Sequence, residues 1–376
     1  MTLLTRLNGL PLWRPAATPS YFKNVCLIVS REFLHLAKAF VSTYPNTNVA
    51  CIALTNPADD TPDEYRFTID GKAWAIPLGG PEMALVTPQL EKVYCIQPND
   101  PQRSELVVLC NFFAPYGLNM FHTVEFSRNP KHLPVTPRPT FYADNARNLE
   151  LIHDLLEDEA SKNAFAARAK AYLTGDTGYL LPAKFKEYYH PQVKPENGDV
   201  LIDGGVSDMV DVQKQFAASV GETGQVHGFE PIADMHASAS KTLSEYPWYH
   251  LHCLGLGERT EEVQFMMKRD SSHVCEQGTE GSVTCRLTAL DDFVADKGLP
   301  RVDCIKLDVE GSELAALKGA KKTIRAHKPK LIICLYHKVE DMITLPLYVK
   351  ELVPEYRLYL DHHSPFFGDS ILYARL

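Results

Sequence analysis

Twice along this chain, short apolar runs alternate with amphipathic stretches. The two series are separated by NPKHLPVTPRP, with prolines at 130, 134, 137 and 139. Alternation of this kind implies strands joined by crossover helices, so each series predicts an α/β unit with a mostly parallel sheet. The proline-rich stretch cannot form a helix or a central strand and reads as a semi-rigid linker. The 376 residues are long for one core and ample for two domains. The expected division is a small Rossmann-like α/β domain over 1–128, a linker with helices over 129–185, and a complete doubly wound domain over 186–376.

In the first series NVCLIV and VACIALT read as buried strands around the helix FLHLAKAFVSTY. YRFTIDGKAWAIP reads as a hairpin turning at Asp70-Gly71. A short helix is expected after Pro88, followed by strands at VYCI and ELVVLCNFF. The first strand runs into SREFLH, which lacks the glycines that let a backbone approach a phosphate. No dinucleotide is expected there, and the domain reads as structural or partner-docking. Leu149, Ile152, Leu155 and Leu156 are spaced for a helix, so helices are expected across 144–174.

The second series offers strands at DVLID, QVHGFE, YHLHCLGL, DCIKLD, LIICLY and SILYARL. VQKQFAASVG, RLTALDDFVADKG and ELAALKGAKKTIRA supply helices between them. In such sheets the ligand lies beyond the carboxyl ends of the strands. Four of those ends carry chemistry. The first closes on Asp203, Gly204 and Gly205, and the second on Glu230 and Pro231. The fourth closes on Asp308, followed by Glu310 and Glu313, and the fifth on Tyr336 and His337. Glu230 follows Asp203 by 27 residues, the placement of an acid that accepts hydrogen bonds from a ribose. Both a dinucleotide and an adenosyl cofactor fit that acid. The first turn separates them. Asp208 and Asp211 stand where a pyrophosphate would need the positive end of a helix, and Met209 replaces a third glycine. This charge repels phosphate and suits the cationic sulfonium of S-adenosyl-L-methionine.

Residues 186–376 resemble the FkbM-type S-adenosylmethionine-dependent methyltransferases. DVLIDGG, VHGFEP, LTALDDF, KPKLIICLYHKVED, YLDHHSPFFGDSILYA and above all CIKLDVEGSELAALKGA carry the resemblance. It implies a class I methyltransferase fold and methyl transfer, usually to a hydroxyl oxygen of a sugar, glycan or polyketide-like product. By position it implies a cofactor site of Asp203, Gly204, Gly205, Asp208, Glu230, Pro231, Leu254, Gly255 and Asp308, with adenine near Leu254 and Gly255. It sets Asp308, Glu310 and His337 at the reaction centre. Met209 is the departure, since the family usually has glycine there.

A hydroxyl acceptor needs a general base. His337, with an ordinary pKa nearest neutrality, suits that role. Crowding among Asp308, Glu310 and Glu313 would raise one carboxyl and make it a rival base. Glu313 alone reads as a helix-surface acid, and Lys306 and Lys318 as balancing charges. Carboxylates also suit Mg²⁺, but no specific spacing points to an ion. Cys275 and Cys285, near His273, lack the tight pair of a zinc site.

Composition narrows the rest. The net charge of −9 argues against nucleic acid as a partner. No run of about 18 apolar residues predicts a membrane span, and the N-terminus lacks the apolar core of a signal peptide. Nine cysteines, mostly inside apolar runs, suit a reduced cytoplasmic protein. A homo-oligomer is compatible with all of this. Two rivals to the enzyme reading stand: an NAD-dependent oxidoreductase, and a non-catalytic binding module that keeps the methyltransferase fold.

Overall fold

The run VCLIV is buried at every position, as a strand covered on both faces must be. It is β1 (Val25–Val29) of a seven-stranded sheet. The structure, a computed structural model, describes Leu3 and residues 24–43, 45, 47–90, 92–98, 121–126, 134–136, 142, 145–174, 180, 183–207, 210–266, 273–275, 282–364 and 368–376. Two compact units emerge: Met1–Leu149 with Ala166–Leu181, and Glu150–Phe165 with Pro182–Leu376.

In the first unit β1 is joined by β2 (Val49–Leu54), β3 (Glu64–Ile69), β4 (Lys72–Gly79), β5 (Lys92–Pro98), β6 (Phe121–Phe126) and β7 (Pro134–Thr136). Their order is β3-β4-β2-β1-β5-β6-β7, parallel from β4 to β6 and antiparallel at both edges. The hairpin turns where expected, with Asp70 and Gly71 both at positive φ. Helix α1 (His35–Thr43) fills the expected crossover. The short helix α2 (Met83–Val86) precedes Pro88 rather than following it. Thr87, at ψ 118, is extended, as a residue before proline is steered to be. Pro134 opens β7 at the sheet edge, where a missing N–H costs nothing. The expected strand ELVVLCNFF lies outside the described residues. Helices α3 (Ala146–Leu155) and α4 (Glu159–Thr174) cover the helical stretch.

The second unit carries β8 (Val200–Gly204), β9 (Gln225–Phe229) and β10 (Tyr249–His252). Then come β11 (Gly255–Leu256), β12 (Glu261–Met266), β13 (His273–Cys275) and β14 (Ser282–Thr288). The last four are β15 (Cys304–Leu307), β16 (Lys330–Cys334), β17 (Arg357–His362) and β18 (Ser370–Arg375). The main sheet runs β10-β9-β8-β15-β16-β18-β17. It is parallel from β10 to β16, and β18 inserts antiparallel before the edge strand β17. Helices α5 (Asp211–Val220), α6 (Ala233–Leu243), α7 (Leu290–Lys297), α8 (Glu313–Gly319), α9 (Lys321–His327) and α10 (Asp341–Leu352) complete the unit. This is the doubly wound sheet that the second alternation predicts.

Three details differ from the sequence reading. YHLHCLGL is split: β10 joins the main sheet, while β11 joins a four-stranded sheet β11-β14-β12-β13. Cys285 packs there against Ile232, Phe265 and Leu287 as a small apolar side chain. ELAALKGAKKTIRA is two helices, not one, because a Cβ on Gly319 would sit 2.0 Å from the Gly257 carbonyl. That close approach anchors the end of α8, and the chain re-aims at Ala320. Finally, RLYLDH forms β17, unread because it is an edge strand without a continuous apolar run. Among the described residues no helix is long and apolar enough to cross a membrane.

The strand order reverses between β8 and β15, the switch point where such sheets bind ligands. There Gly205 takes φ +85, and a Cβ on it would stand 1.8 Å from the Asp308 carbonyl. Gly298 has φ +60 but open space around it. Gly298→Ala should cost about 1 kcal/mol of stability for the left-handed backbone alone. Gly205→Ala should cost at least about twice that in urea unfolding, and equal costs would show that the Asp308 contact is not tight.

Candidate functional site

The site is built from the carboxyl ends of β8, β9, β15 and β16 and a loop that precedes β8. Its floor is an ion pair. Asp203 on β8 and Lys306 on β15 are register partners, so their side chains share one face of the sheet. The Lys306 ammonium lies 3.1 Å from Asp203 Oδ1, with side-chain exposures of 2% and 0%. Tyr249 donates its hydroxyl to Asp203 Oδ2 at 2.7 Å, and Gln213 reaches the same oxygen at 3.4 Å. Tyr249 stands on β10 and must pass β9 to do this. It passes at Gly228, where any Cβ would meet its hydroxyl at 2.6 Å. Lys306 also donates to the carbonyls of Gly204 (3.1 Å) and Gly205 (2.7 Å). Burial would push the Lys306 ammonium down, but Asp203 and Asp308 hold its pKa above the ordinary lysine value. Asp203, expected at the cofactor, is thus a wholly buried anchor for the glycine turn. Lys306 balances it, as the sequence suggested, whereas Lys318 pairs with the exposed Glu258 at 3.5 Å.

Above this floor Asp308 is held on all sides. Tyr188 donates to its Oδ2 at 2.9 Å and Tyr336 to its Oδ1 at 3.0 Å. Burial alone would raise its pKa. Lys306, His337 and the two phenols outweigh burial and hold the carboxyl at about 2. Asp308 is therefore a permanent anion and too weak a base to take a proton near neutral pH.

His337 sits among three carboxylates. Its Nδ1 lies 2.9 Å from Glu313 Oε1, and its Nε2 lies 3.4 Å from Asp308 and 3.5 Å from Glu310. The Glu313 contact at Nδ1 is the shortest of the three and acts most strongly on the ring. Burial would lower the imidazole's pKa, but Glu313, then Asp308 and Glu310, raise it to about 9. His337 is a cation at neutral pH. This corrects the expectation of a neutral histidine base. Asp308, Glu313 and His337 also turn metal-ligand atoms to within 4.8 Å of one another. A divalent ion there would have to displace the proton on His337.

Glu313 is not the surface acid that its helix suggests. Its side chain is fully buried, and Oε1 accepts from the backbone N–H of Val309 (2.9 Å) and Gly311 (3.3 Å). It ties down the turn that carries Glu310, which takes a left-handed φ of 52, and Gly311, at φ 92. Glu230 closes β9, with Oε1 accepting from Ile232 N–H at 2.8 Å. Gly255 packs beside Pro231, 3.4 Å from where its Cβ would be, and Leu254 is half-buried. Asp208 and Met209 lie outside the described residues.

Two site residues escaped the sequence reading. Tyr188 is one; Glu187, whose carboxyl is pushed up to about 7 by burial and by Asp369 and Asp308, is the other. Both lie in KFKEYYH, where no periodicity singles them out. Tyr188 is buried, with its ring 5.5 Å below the Lys306 ammonium and edge-on to Phe216.

Residues 199–364 match the methyltransferase FkbM domain, a domain of S-adenosylmethionine-dependent methyltransferases. The fold of the whole chain is similar to that of methyltransferase FkbM from Methylobacillus flagellatus KT. The two are 19% identical, with a TM-score of 0.61, and the match covers 99% of this chain and 98% of that one. A fibrillarin of Aeropyrum pernix, solved with natively bound S-adenosyl-L-methionine, is 10% identical over 48% of this chain and 67% of its own. Its TM-score of 0.32 is too low to bear on function. No curated protein matches the sequence.

The two shifted groups tie stability to pH in opposite directions. His337, raised from 6.5 to about 9, contributes stability present in full below pH 6.5 and lost as pH rises through about 9. Asp308, lowered from 3.8 to about 2, contributes stability present above pH 3.8 and lost as pH falls through about 2. Between pH 6.5 and 9.5 the wild type should lose on the order of 2–3 kcal/mol that His337→Gln does not lose. Parallel pH curves for the two proteins in denaturant titrations would contradict a protonated His337. Lys306→Met, which strands a buried carboxylate, should cost about 3–5 kcal/mol.

Proposed function

We propose that the protein is an O-methyltransferase acting on a hydroxyl of a sugar, glycan or glycosylated natural product, in the cytoplasm. The observation that carries this reading is the fixed Asp308 anion at the carboxyl end of β15, beside the switch point of the sheet where its backbone carbonyl packs on Gly205. Its charge complements a cationic sulfonium, and Asp211 in the first turn of α5 disfavours the pyrophosphate of a dinucleotide. The free cysteines Cys26, Cys51, Cys253, Cys285, Cys304 and Cys334 fit a reducing setting.

The cofactor supplies a methyl group on its sulfonium, and the remaining task is mainly positioning. Glu230, held by Ile232 N–H, presents its carboxylate at the end of β9 for ribose hydroxyls. Leu254, Gly255 and Pro231 form the wall for adenine. Asp308 would complement the charge of the sulfonium, fixed by two phenols so that it does not reorient as charge moves. Glu310, on its left-handed turn beside His337, completes the acceptor side. A carbohydrate hydroxyl fits this set of phenols and carboxylates better than an apolar acceptor.

Calorimetric titration with S-adenosylmethionine, S-adenosylhomocysteine and NAD tests the cofactor. Micromolar binding of the two adenosyl ligands alone is expected, and binding of NAD alone would restore the oxidoreductase reading. Asp308→Asn should lower methyl transfer by at least about 100-fold while the protein stays folded. Transfer at the wild-type rate would remove Asp308 from the reaction centre. Binding without transfer to any hydroxyl acceptor would favour the non-catalytic module.

A further inference from the structure

We propose that Asp308, Glu310 and His337 hold a divalent transition-metal ion, which binds and polarises the acceptor hydroxyl. The ion's role in the reaction rests on the methyltransferase reading of this site; its binding does not. Spacing is the first support. His337 Nε2 lies 3.4 Å from Asp308 Oδ1 and 3.5 Å from Glu310 Oε2. Both gaps are long for hydrogen bonds. They match the edges of a coordination shell, where ligand bonds of about 2.1 Å set neighbouring donor atoms about 3.0–3.4 Å apart. Asp308, Glu313 and His337 together turn ligand atoms to within 4.8 Å of one another.

The imidazole is the second support. Its side chain is 7% exposed, and among the described residues Nε2 has no hydrogen-bond partner. The other ring nitrogen is already engaged. Nδ1 lies 2.9 Å from Glu313 Oε1, and the backbone N–H groups of Val309 and Gly311 hold that same oxygen. A carboxylate behind one nitrogen of a histidine keeps a proton on that side and aims the lone pair of the other nitrogen at the ion. Glu313 is therefore a positioning residue, and Asp308 and Glu310 are the ligands. Asp308 Oδ1 accepts from Tyr336 and has a second lone pair to offer. Glu310, 34% exposed, is the ligand that adjusts its reach.

Charge is the third support. Three carboxylates surround one imidazole. A proton on the ring balances one of them, and a dication balances two. Lys338 donates instead to the Gly311 carbonyl. Two carboxylate oxygens and an imidazole nitrogen suit Mn²⁺, Fe²⁺ or Zn²⁺ better than Ca²⁺ or Mg²⁺, which prefer oxygen alone.

The ion supplies what neither Asp308 nor His337 can. A hydroxyl held on a dication has its pKa lowered, and its proton passes to solvent. The acceptor oxygen bonds to the methyl carbon as the carbon–sulfur bond breaks and its electron pair goes to sulfur. The products are a methyl ether, S-adenosylhomocysteine as a neutral thioether, and a proton in water, so charge balances. The ion keeps its charge.

The test titrates Mn²⁺ alone into metal-stripped protein and follows it by electron paramagnetic resonance. The wild type should bind about one ion per chain, with nitrogen coupling from the imidazole in pulsed spectra. Glu310→Gln, at a partly exposed side chain, should bind at least about 10-fold more weakly, and Glu313→Gln about 10–100-fold more weakly through the loosened ring. His337→Gln should lose the nitrogen coupling. Glu258→Gln, an exposed acid beside Lys318, should match the wild type. No binding at about 1 mM Mn²⁺, wild-type affinity in Glu310→Gln, or nitrogen coupling that persists in His337→Gln overturns the proposal. Calorimetry with S-adenosylmethionine separates the two readings. Cofactor binding without Mn²⁺ binding overturns the ion site alone, and Mn²⁺ binding without cofactor binding sinks the methyltransferase reading and with it the ion's role. A further arm measures transfer of a labelled methyl group to a panel of monosaccharides, alcohols and phenols. Chelation should lower transfer at least about 100-fold, and added Mn²⁺ should restore it. Transfer that chelation leaves unchanged overturns the ion's part in the reaction.

Discussion

The buried pair of Asp203 and Lys306 is the constraint around which the second unit is arranged. Two charges taken out of water are tolerated only if their remaining hydrogen-bonding capacity is filled. Three separate elements fill it. Tyr249 comes from β10, Gln213 from α5, and the carbonyls of Gly204 and Gly205 from the end of β8. The demand reaches back into the sequence. Gly228 is small because a phenol must cross β9, and Gly205 is a glycine because Asp308 lies against it. An ion pair at the centre of the sheet thus dictates residues on three neighbouring strands.

A second layer of charge is built on the first. Lys306 helps keep Asp308 ionised, and Asp308 helps keep His337 protonated. Glu313 does both jobs of a buried acid, holding the Val309–Gly311 backbone and facing the imidazole. Most charges at this edge are locked. The exceptions, Glu187 and Asp341, are acids that burial, more than any single neighbour, pushes up to about 7. Distinguishing locked from titratable groups is a more direct guide to roles here than residue type. By type alone the histidine is the natural base and the aspartate a plausible one.

The main strands were legible because sheets covered on both faces demand mostly apolar runs, and VLIDG, CIKL and KLIIC are such runs with a single charged residue each. The strand-end residues Asp203, Glu230, Asp308 and His337 were legible for the same reason, since a run that stops marks an edge. β17, whose sequence RLYLDH mixes charged with apolar residues, gave no comparable signal. Partnerships were not legible. Nothing in the spacing of Asp203 and Lys306 announces that they are register partners 103 residues apart. Glu187 and Tyr188 acquire meaning only when a loop before β8 is laid over the end of β15. Protonation states were equally hidden, because they depend on neighbours contributed by distant segments.

The turn after β8 has one further property. Gly205 is fixed through its N–H by the Phe229 carbonyl at 3.2 Å, through its own carbonyl by Lys306, and through its α-carbon by Asp308. Val206 N–H shares the Phe229 carbonyl at 3.1 Å. A recognition loop of mobile glycines must be ordered each time a ligand arrives, and that entropy is subtracted from the affinity. Here the ordering is complete once the sheet has folded. A ligand bound at Gly205 and Val206 would meet backbone that has little freedom left to lose.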